Sequence, residues 1–138
     1  MSVNITFIPI KPRGQMLNKA TVLRALSAAL TDTVAEGNRW IAEYPQAPPG
    51  QKYKRTGTLK RSWSMKPTTR RGDRLEAEVG SNGGMAPYNE DVQGEKQEAF
   101  FRRRGWRDVN GLVKLVQREL PVRAQRAIDR AAMEGGGR

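Results

Sequence analysis

Two carboxylates, Glu76 and Glu78, have the spacing best suited to acid–base chemistry. In a β-strand both side chains would lie on one face of a sheet, where they could act as an acid–base pair or bind a metal ion. The chain contains no histidine and no cysteine, which removes imidazole and thiolate ligands and the usual nucleophilic pairs. Without a third ligand or base, the pair is more typical of a polar strand face that meets Lys66 or Arg61 across a hairpin. We therefore expect no enzyme, no metal and no cofactor.

Positive charge is the second chemical feature of the chain. Lysine and arginine number 25 against 14 acidic residues, which gives a formal net charge of +11. A balance of this size favours binding to a polyanion or to an acidic protein surface. Residues 51–74 contain nine of these cations and one acid, Asp73, so this stretch alone carries +8. The nine cations are Lys52, Lys54, Arg55, Lys60, Arg61, Lys66, Arg70, Arg71 and Arg74.

Aromatic and basic residues are mixed in the stretch 100–107. Phe100, Phe101 and Trp106 lie among four arginines, which are Arg102, Arg103, Arg104 and Arg107. Such a mixture can stack on bases and bind phosphates, or it can form the centre of a protein interface. The sequence leaves both alternatives open.

An acidic run lies between the basic stretch and the aromatic one. Its acids are Glu90, Asp91, Glu95 and Glu98, and Lys96 is the single cation among them. The run is electrostatically complementary to the basic stretch. The two could neutralise each other within one subunit, or they could meet between subunits in a head-to-tail contact of the kind that closes rings.

The secondary structure that must position these residues begins with a strand and a long helix. A length of 138 residues favours one domain with its own core. Val3–Ile10 predicts a strand, and Pro9 favours an edge position for it. Gly14–Tyr44 predicts a helix, because its apolar residues recur at steps of three, four and seven, with Gly37 as the weak point. A proline then ends the helix, and we expect an extended basic loop over 45–58.

A hairpin follows the basic loop. Ser62–Thr68 and Arg74–Ser81 alternate apolar and polar residues, and Gly72 lies in the turn between them. The long helix should pack on this hairpin. The residues expected to be mutually buried are Leu23, Leu26, Leu30, Trp63, Leu75 and Val79.

The last predicted element is a helix that Asp108 can cap. Its apolar face continues past Pro121, where we expect a kink or a break, because an interior proline removes a backbone hydrogen bond. The expected fold is α+β, with a long N-terminal helix packed on a small antiparallel β-sheet and a C-terminal helix kinked or broken near Pro121. We assign residues 1–134 to this single domain and 135–138 to a disordered tail.

Two short motifs resemble those of a known class of proteins. The first consists of Arg55, Thr56, Gly57 and Leu59, followed by Ser62 and Trp63, and the second of Ala86, Pro87 and Tyr88, followed by Glu90 and Asp91. Together with the order of helix, sheet and helix, they resemble the neck and tail-completion proteins of tailed bacteriophages, which join head to tail or serve as minor tail components. The chain departs from that pattern after Tyr88, because it has only Gly94 where a Gly-Thr pair would close the motif.

The resemblance implies a structural virion protein that forms a homo-oligomeric ring in the neck or upper tail, a hexamer or dodecamer more than other sizes. The partners implied are further copies of the chain, adjacent neck or tail proteins and the DNA that passes through the channel. The two motifs would then supply interface residues. The basic residues that would face DNA or a partner are Lys52, Lys54, Lys60, Arg61, Arg102, Arg103 and Arg104. The implied location is the virion, after synthesis in the host cytoplasm.

A different function remains open on the residues alone. The basic stretch and the aromatic–arginine stretch could belong to a nucleic-acid-binding module that acts as a monomer or dimer. A membrane protein is not expected, because no apolar run approaches the roughly 20 residues that span a bilayer. The N-terminal residues also lack the basic and small-residue pattern of a signal peptide.

Overall fold

The protein is an α+β fold in which a three-stranded sheet is packed against helices. The computed structural model describes residues 2–7, 18–45, 62–72, 74–81, 92–95 and 97–136. Within these ranges the elements are β1 (Ser2–Phe7), α1 (Lys19–Ala42), β2 (Trp63–Arg71), β3 (Arg74–Ser81), α2 (Ala99–Arg103) and α3 (Val109–Gly136). The expected fold class is confirmed.

The sheet is antiparallel and has the strand order β1-β3-β2. β1 pairs with β3 over six consecutive positions, from Ser2 opposite Gly80 to Phe7 opposite Leu75. β2 and β3 form the predicted hairpin, and Gly72 takes the positive φ of 60° that its turn requires. The edge position predicted for the first strand is confirmed for β1.

β2 ends three residues later than predicted, at Arg71. Its last residues are polar and exposed, so the sequence contains no apolar alternation there. Pairing with β3 holds them in the sheet, with Thr69 opposite Glu76 and Arg71 opposite Arg74.

α1 begins later than predicted. Asn18 has an extended conformation, and its side-chain oxygen accepts a hydrogen bond from Ala20 N at 2.8 Å, which makes it the N-cap. The helix ends at Ala42, before Tyr44 and the proline that follows. Of the predicted helical start, residues 14–17 lie outside the described ranges.

Gly37 was expected to weaken α1, and this expectation is wrong. The helix is continuous through Gly37, which is buried against α3. A Cβ atom built on Gly37 would lie 2.7 Å from Leu112 Cδ1. The absent side chain therefore permits the close approach of α1 and α3.

One core joins α1, α3 and the sheet. All six residues predicted to be mutually buried belong to it. Leu30, Val34 and Ile41 of α1 have no exposed surface, and neither have Val79 of β3 and Leu112 of α3. The two long helices are also joined by an ion pair between Arg123 and Glu36.

α3 runs through Pro121 as one helix of 28 residues, so of the two predicted alternatives, a kink or a break, the break is wrong. Pro121 has no N–H, so it cannot donate the helical hydrogen bond to the carbonyl oxygen of Gln117. Its side chain is exposed to solvent. Leu120 and Ala124 on either side of it are buried in the core and hold the helix against the rest of the protein. The predicted cap is confirmed, because Asp108 Oδ1 accepts a hydrogen bond from Gly111 N at 2.9 Å. The helix also extends to Gly136, two residues beyond the predicted domain boundary.

Candidate interaction surface

Three chain segments meet at one end of the fold. There α1 ends at Ala42, β2 begins at Trp63 and β3 ends at Ser81. Trp63 lies opposite Ser81 in the sheet, and the hydroxyl oxygens of Ser62 and Ser81 are 3.1 Å apart. Ser62, which follows the undescribed segment 46–61, and Ser81, which precedes the undescribed segment 82–91, therefore lie together at this end.

A buried chain of hydrogen bonds ties these segments together. Trp63 Nε1 donates to Gln93 Oε1 at 3.0 Å, and Gln93 Nε2 donates to the carbonyl oxygen of Ile41 at 2.7 Å. Trp63 is 5% exposed and Gln93 is fully buried, so neither side chain can form hydrogen bonds with water. The two bonds give these buried polar groups the partners they need. The side chain of Gln93 thus bridges the start of β2 and the end of α1.

A second buried glutamine extends the same network toward the aromatic stretch. Gln97 Nε2 donates to the carbonyl oxygens of Val92 and Trp106, at 2.7 and 2.8 Å. Asn110 of α3 donates to the carbonyl oxygen of Glu95 at 3.1 Å. We call the set Ile41, Trp63, Ser81, Gln93 and Gln97 the junction.

The aromatic–arginine stretch folds over the end of α1, next to the junction. The rings of Tyr44 and Trp106 lie 4.7 Å apart, and Phe101 meets Trp106 edge to face at 6.2 Å. Arg107 donates to the carbonyl oxygen of Trp40 at 2.7 Å and forms an ion pair with Glu43 at 3.1 Å. Trp106 and Arg107 therefore hold the fold together.

The other members of this stretch point to solvent. Phe100 is 49% exposed, and the guanidinium of Arg104 lies over its ring at 4.6 Å. Arg102 and Arg103 are exposed beside them in α2. A large exposed aromatic side chain with a stacked guanidinium is typical of an interface centre.

The carboxylate pair has ordinary partners. Glu78 lies 3.7 Å from Lys66 Nζ, and Glu76 lies 3.8 Å from Arg71 Nε. The prediction of a polar strand face paired across the hairpin is confirmed for Lys66, whereas Arg61 lies outside the described residues. Among the described residues no group of three or more acids could hold a metal ion.

Three arginines near the C-terminal end of the basic stretch lie close together in the structure. Arg70, Arg71 and Arg74 surround the turn at Gly72, at the opposite end of β2 from Trp63. A strand of nine residues is about 30 Å long, at roughly 3.3 Å a residue. We call Arg70, Arg71, Gly72 and Arg74 the hairpin tip. The three arginines of the hairpin tip therefore lie far from the junction.

The structure describes some of the predicted site residues. Ser62 and Trp63 lie at the junction, and Arg102, Arg103 and Arg104 lie in and just after α2. The remaining ones fall outside the described residues. They are Lys52, Lys54, Arg55, Thr56, Gly57, Leu59, Lys60, Arg61, Pro87, Tyr88, Glu90 and Asp91, together with the 45–58 loop beyond its first residue.

Gln93 and Gln97 were not identified from the sequence. Both glutamines lie in a locally acidic stretch, which is typical of a solvated loop. Only their burial and their bonds across 52 and nine residues show what they do.

Comparison of the chain with known protein families, with curated proteins and with solved structures found no match. Among the described helices, none is both long and apolar enough to cross a membrane.

Proposed function

We propose that this chain is a structural subunit of the neck or upper tail of a tailed bacteriophage. Copies of it would form a homo-oligomeric ring that joins head to tail and surrounds the DNA conduit. The other partners would be adjacent neck or tail proteins and the DNA in the channel. The role is mechanical, with no reaction and no cofactor.

The observation that carries this proposal is the position of the junction. The two resembling motifs lie in sequence segments whose neighbouring described residues are joined by the Trp63–Gln93–Ile41 hydrogen bonds. The first motif ends at Trp63 in the junction, and Val92, which precedes Gln93 of the junction, follows directly after the second motif. A protein that assembles through both motifs needs them held in a fixed relation, which a buried polar bridge provides.

The exposed side chains next to the junction also favour assembly. Phe100 and Arg104 form a stacked pair that is accessible from outside, whereas the neighbouring Trp106 is used within the subunit. Burial of an aromatic ring and its guanidinium is a common source of binding energy between proteins. The excess of arginine around them suits an acidic partner surface or DNA.

The second candidate is a nucleic-acid-binding module that acts as a monomer or dimer. The exposed Arg102, Arg103 and Arg104 beside Phe100 favour it, since cations and an aromatic ring can contact the backbone and bases of a single strand. This second function does not require the chain to assemble into a ring.

Light scattering coupled to size-exclusion chromatography, at low and high salt and without nucleic acid, separates the two. The proposal predicts a particle of several subunits at both salt concentrations. A monomer or dimer at both, with DNA affinity that falls steeply as salt rises, would replace it with the nucleic-acid-binding module.

A further inference from the structure

The two edges of the sheet differ in how they are protected. β2 forms one edge, and it contains Pro67 and an irregular register between Lys66 and Thr69. Its Thr68 N–H donates to Thr31 Oγ1 at 3.3 Å, and its hydroxyl donates to the carbonyl oxygen of Ser27 at 3.2 Å. A proline, an irregularity, charged residues and a covering helix are the features that prevent another strand from pairing with an edge.

β1 forms the other edge, and within the described part of the chain it has none of these features. Ser2–Phe7 contains no proline, no glycine and no charged residue, and its register with β3 is regular over all six positions. It is the one described strand without a charge. Across the described parts of the chain, no hydrogen bond reaches its outer edge. Unpaired backbone groups on a straight, uncharged edge are a template for another strand.

We propose that β1 pairs with β1 of a second copy of the chain, antiparallel and about a two-fold axis. The two sheets would then form one continuous sheet of six strands, in the order β2-β3-β1-β1-β3-β2. This inference does not rest on the proposed ring.

The sequence of β1 is complementary to itself. Ile5 is buried and Val3 packs against the core, whereas Asn4 and Thr6 are exposed on the outer face. Residues directly opposite each other in antiparallel strands share a face of the sheet. A register with Asn4 opposite Asn4 of the second copy places Val3 opposite Ile5 of the second copy. The apolar faces of both copies, and their helices, then lie on the same side.

Charge opposes a second copy less at this edge than elsewhere on the protein. Two chains of +11 each repel one another over most of their surfaces. The strand that approaches most closely at this contact has no side-chain charge, so no like charges are forced together. The nearest acids on the outer face, Glu76 and Glu78, lie on β3 and are paired with Arg71 and Lys66 on its far side.

A two-fold contact of this kind doubles whatever unit is present. It converts a monomer into a dimer, or one ring into a pair of rings. The double variant Asn4→Lys with Thr6→Lys should prevent it, because lysines would meet across the contact. Within one copy the same lysines lie opposite Glu78 and Glu76, so the fold should be retained.

The matched control is Thr69→Lys on the other edge. Thr69 also lies opposite Glu76, and Lys66 already lies opposite Glu78. In the control, β2 therefore has a lysine opposite Glu78 and another opposite Glu76. In the double variant, β1 has lysines opposite the same two carboxylates.

Sedimentation over a range of concentrations measures the outcome. We expect the wild type and Thr69→Lys to show the doubled mass. The double variant should have an association constant at least about tenfold lower, and its mass should therefore be half as large. An unchanged mass in the double variant, an equal loss in Thr69→Lys, or a wild type without a doubled unit would overturn the proposal.

Hydrogen exchange on the wild type supplies a readout that needs no variant. Outward-facing amides of β1 should become more protected as concentration rises, whereas those of β2 should not. Protection of β1 that is independent of concentration would also overturn the pairing. Neither result depends on whether the basic unit is a ring, so the two proposals can fail separately.

Discussion

The two ends of β2 are built from different interactions. At the junction, Trp63 is buried and its indole nitrogen is hydrogen-bonded to a buried glutamine. At the hairpin tip, Arg70, Arg71 and Arg74 are exposed, and the contact of Arg71 with Glu76 is an ion pair in solvent. Water competes for every polar contact at the tip and for almost none at the junction. The comparison indicates that the junction fixes the fold and that the tip contributes charge without fixing it.

The largest effect is expected from Trp63→Ala. It removes a large buried side chain and leaves Gln93 Oε1 without its donor, so the free energy of unfolding should fall by about 3–5 kcal/mol. Urea unfolding measures this. Trp63→Phe is the control that keeps most of the volume and loses only the N–H. If Trp63→Phe is as stable as the wild type, the hydrogen bond contributes nothing to the junction.

A smaller loss is expected from Gln93→Leu. The donor of Trp63 and the carbonyl oxygen of Ile41 would both remain buried without partners, at about 1–1.5 kcal/mol each, the lower part of the usual range, because the buried leucine keeps the space filled. The matched control is Gln117→Leu, which changes an exposed glutamine of α3. Equal stability of the two variants in urea would show that the bridge is not what holds α1 to β2.

At the hairpin tip the largest effect should come from the backbone. Gly72 has a φ of 60°, and a Cβ atom there would meet nothing within 4 Å. Gly72→Ala should therefore cost about 1 kcal/mol through conformation alone, and Gly72→Asn should cost less, because asparagine tolerates this region. Thermal unfolding compares the two. A loss for alanine as large as that of Gln93→Leu would contradict the contrast between the two ends.

The smallest effect is expected from Arg71→Gln. The ion pair with Glu76 has a distance of 3.8 Å, and the arginine side chain is 81% exposed, so its removal should change stability by less than about 0.5 kcal/mol. Unfolding in low and in high salt checks this value. A change above 1 kcal/mol that persists in high salt would mean that the tip is not a solvated surface.

Much of the fold could be predicted from the sequence, because it follows from local patterns. The alternation of Leu75, Ala77 and Val79 predicted β3 and its buried face, and Gly72 predicted the turn. Asp108 was recognisable as a helix cap by its type and position. Each of these signals depends on residues a few positions apart.

The errors concern residues whose role depends on a distant partner. Gly37 was interpreted as a weak point of α1, because its contact, Leu112, lies 75 residues further along the chain. Pro121 was expected to allow a break, but the buried Leu120 and Ala124 hold α3 in one piece. Glycine and proline do lower the stability of a helix interior, as local propensity indicates. Tertiary packing offsets that cost here, and a local pattern contains no information about it.

The candidate site was harder to predict than the fold. Arginines and aromatics were found by type, yet the sequence could not separate Trp106 and Arg107, which serve the fold, from Phe100 and Arg104, which are exposed. It also could not show that Arg70, Arg71 and Arg74 lie at the opposite end of β2 from the junction. Both distinctions depend on where the chain folds back on itself.

The central claim is that subunits join through the end of the fold that carries the junction. It can be tested with two triple variants that each remove three arginine charges. One changes Arg102, Arg103 and Arg104 to glutamine, next to the junction, and the other changes Arg70, Arg71 and Arg74 to glutamine, at the hairpin tip.

The decisive measurement is the mass of each triple variant by light scattering, beside the wild type under the same conditions. We expect the variant next to the junction to fall to a smaller particle, while the hairpin-tip variant keeps the wild-type mass. Loss of the oligomer in the hairpin-tip variant alone, or no change in either, would contradict it.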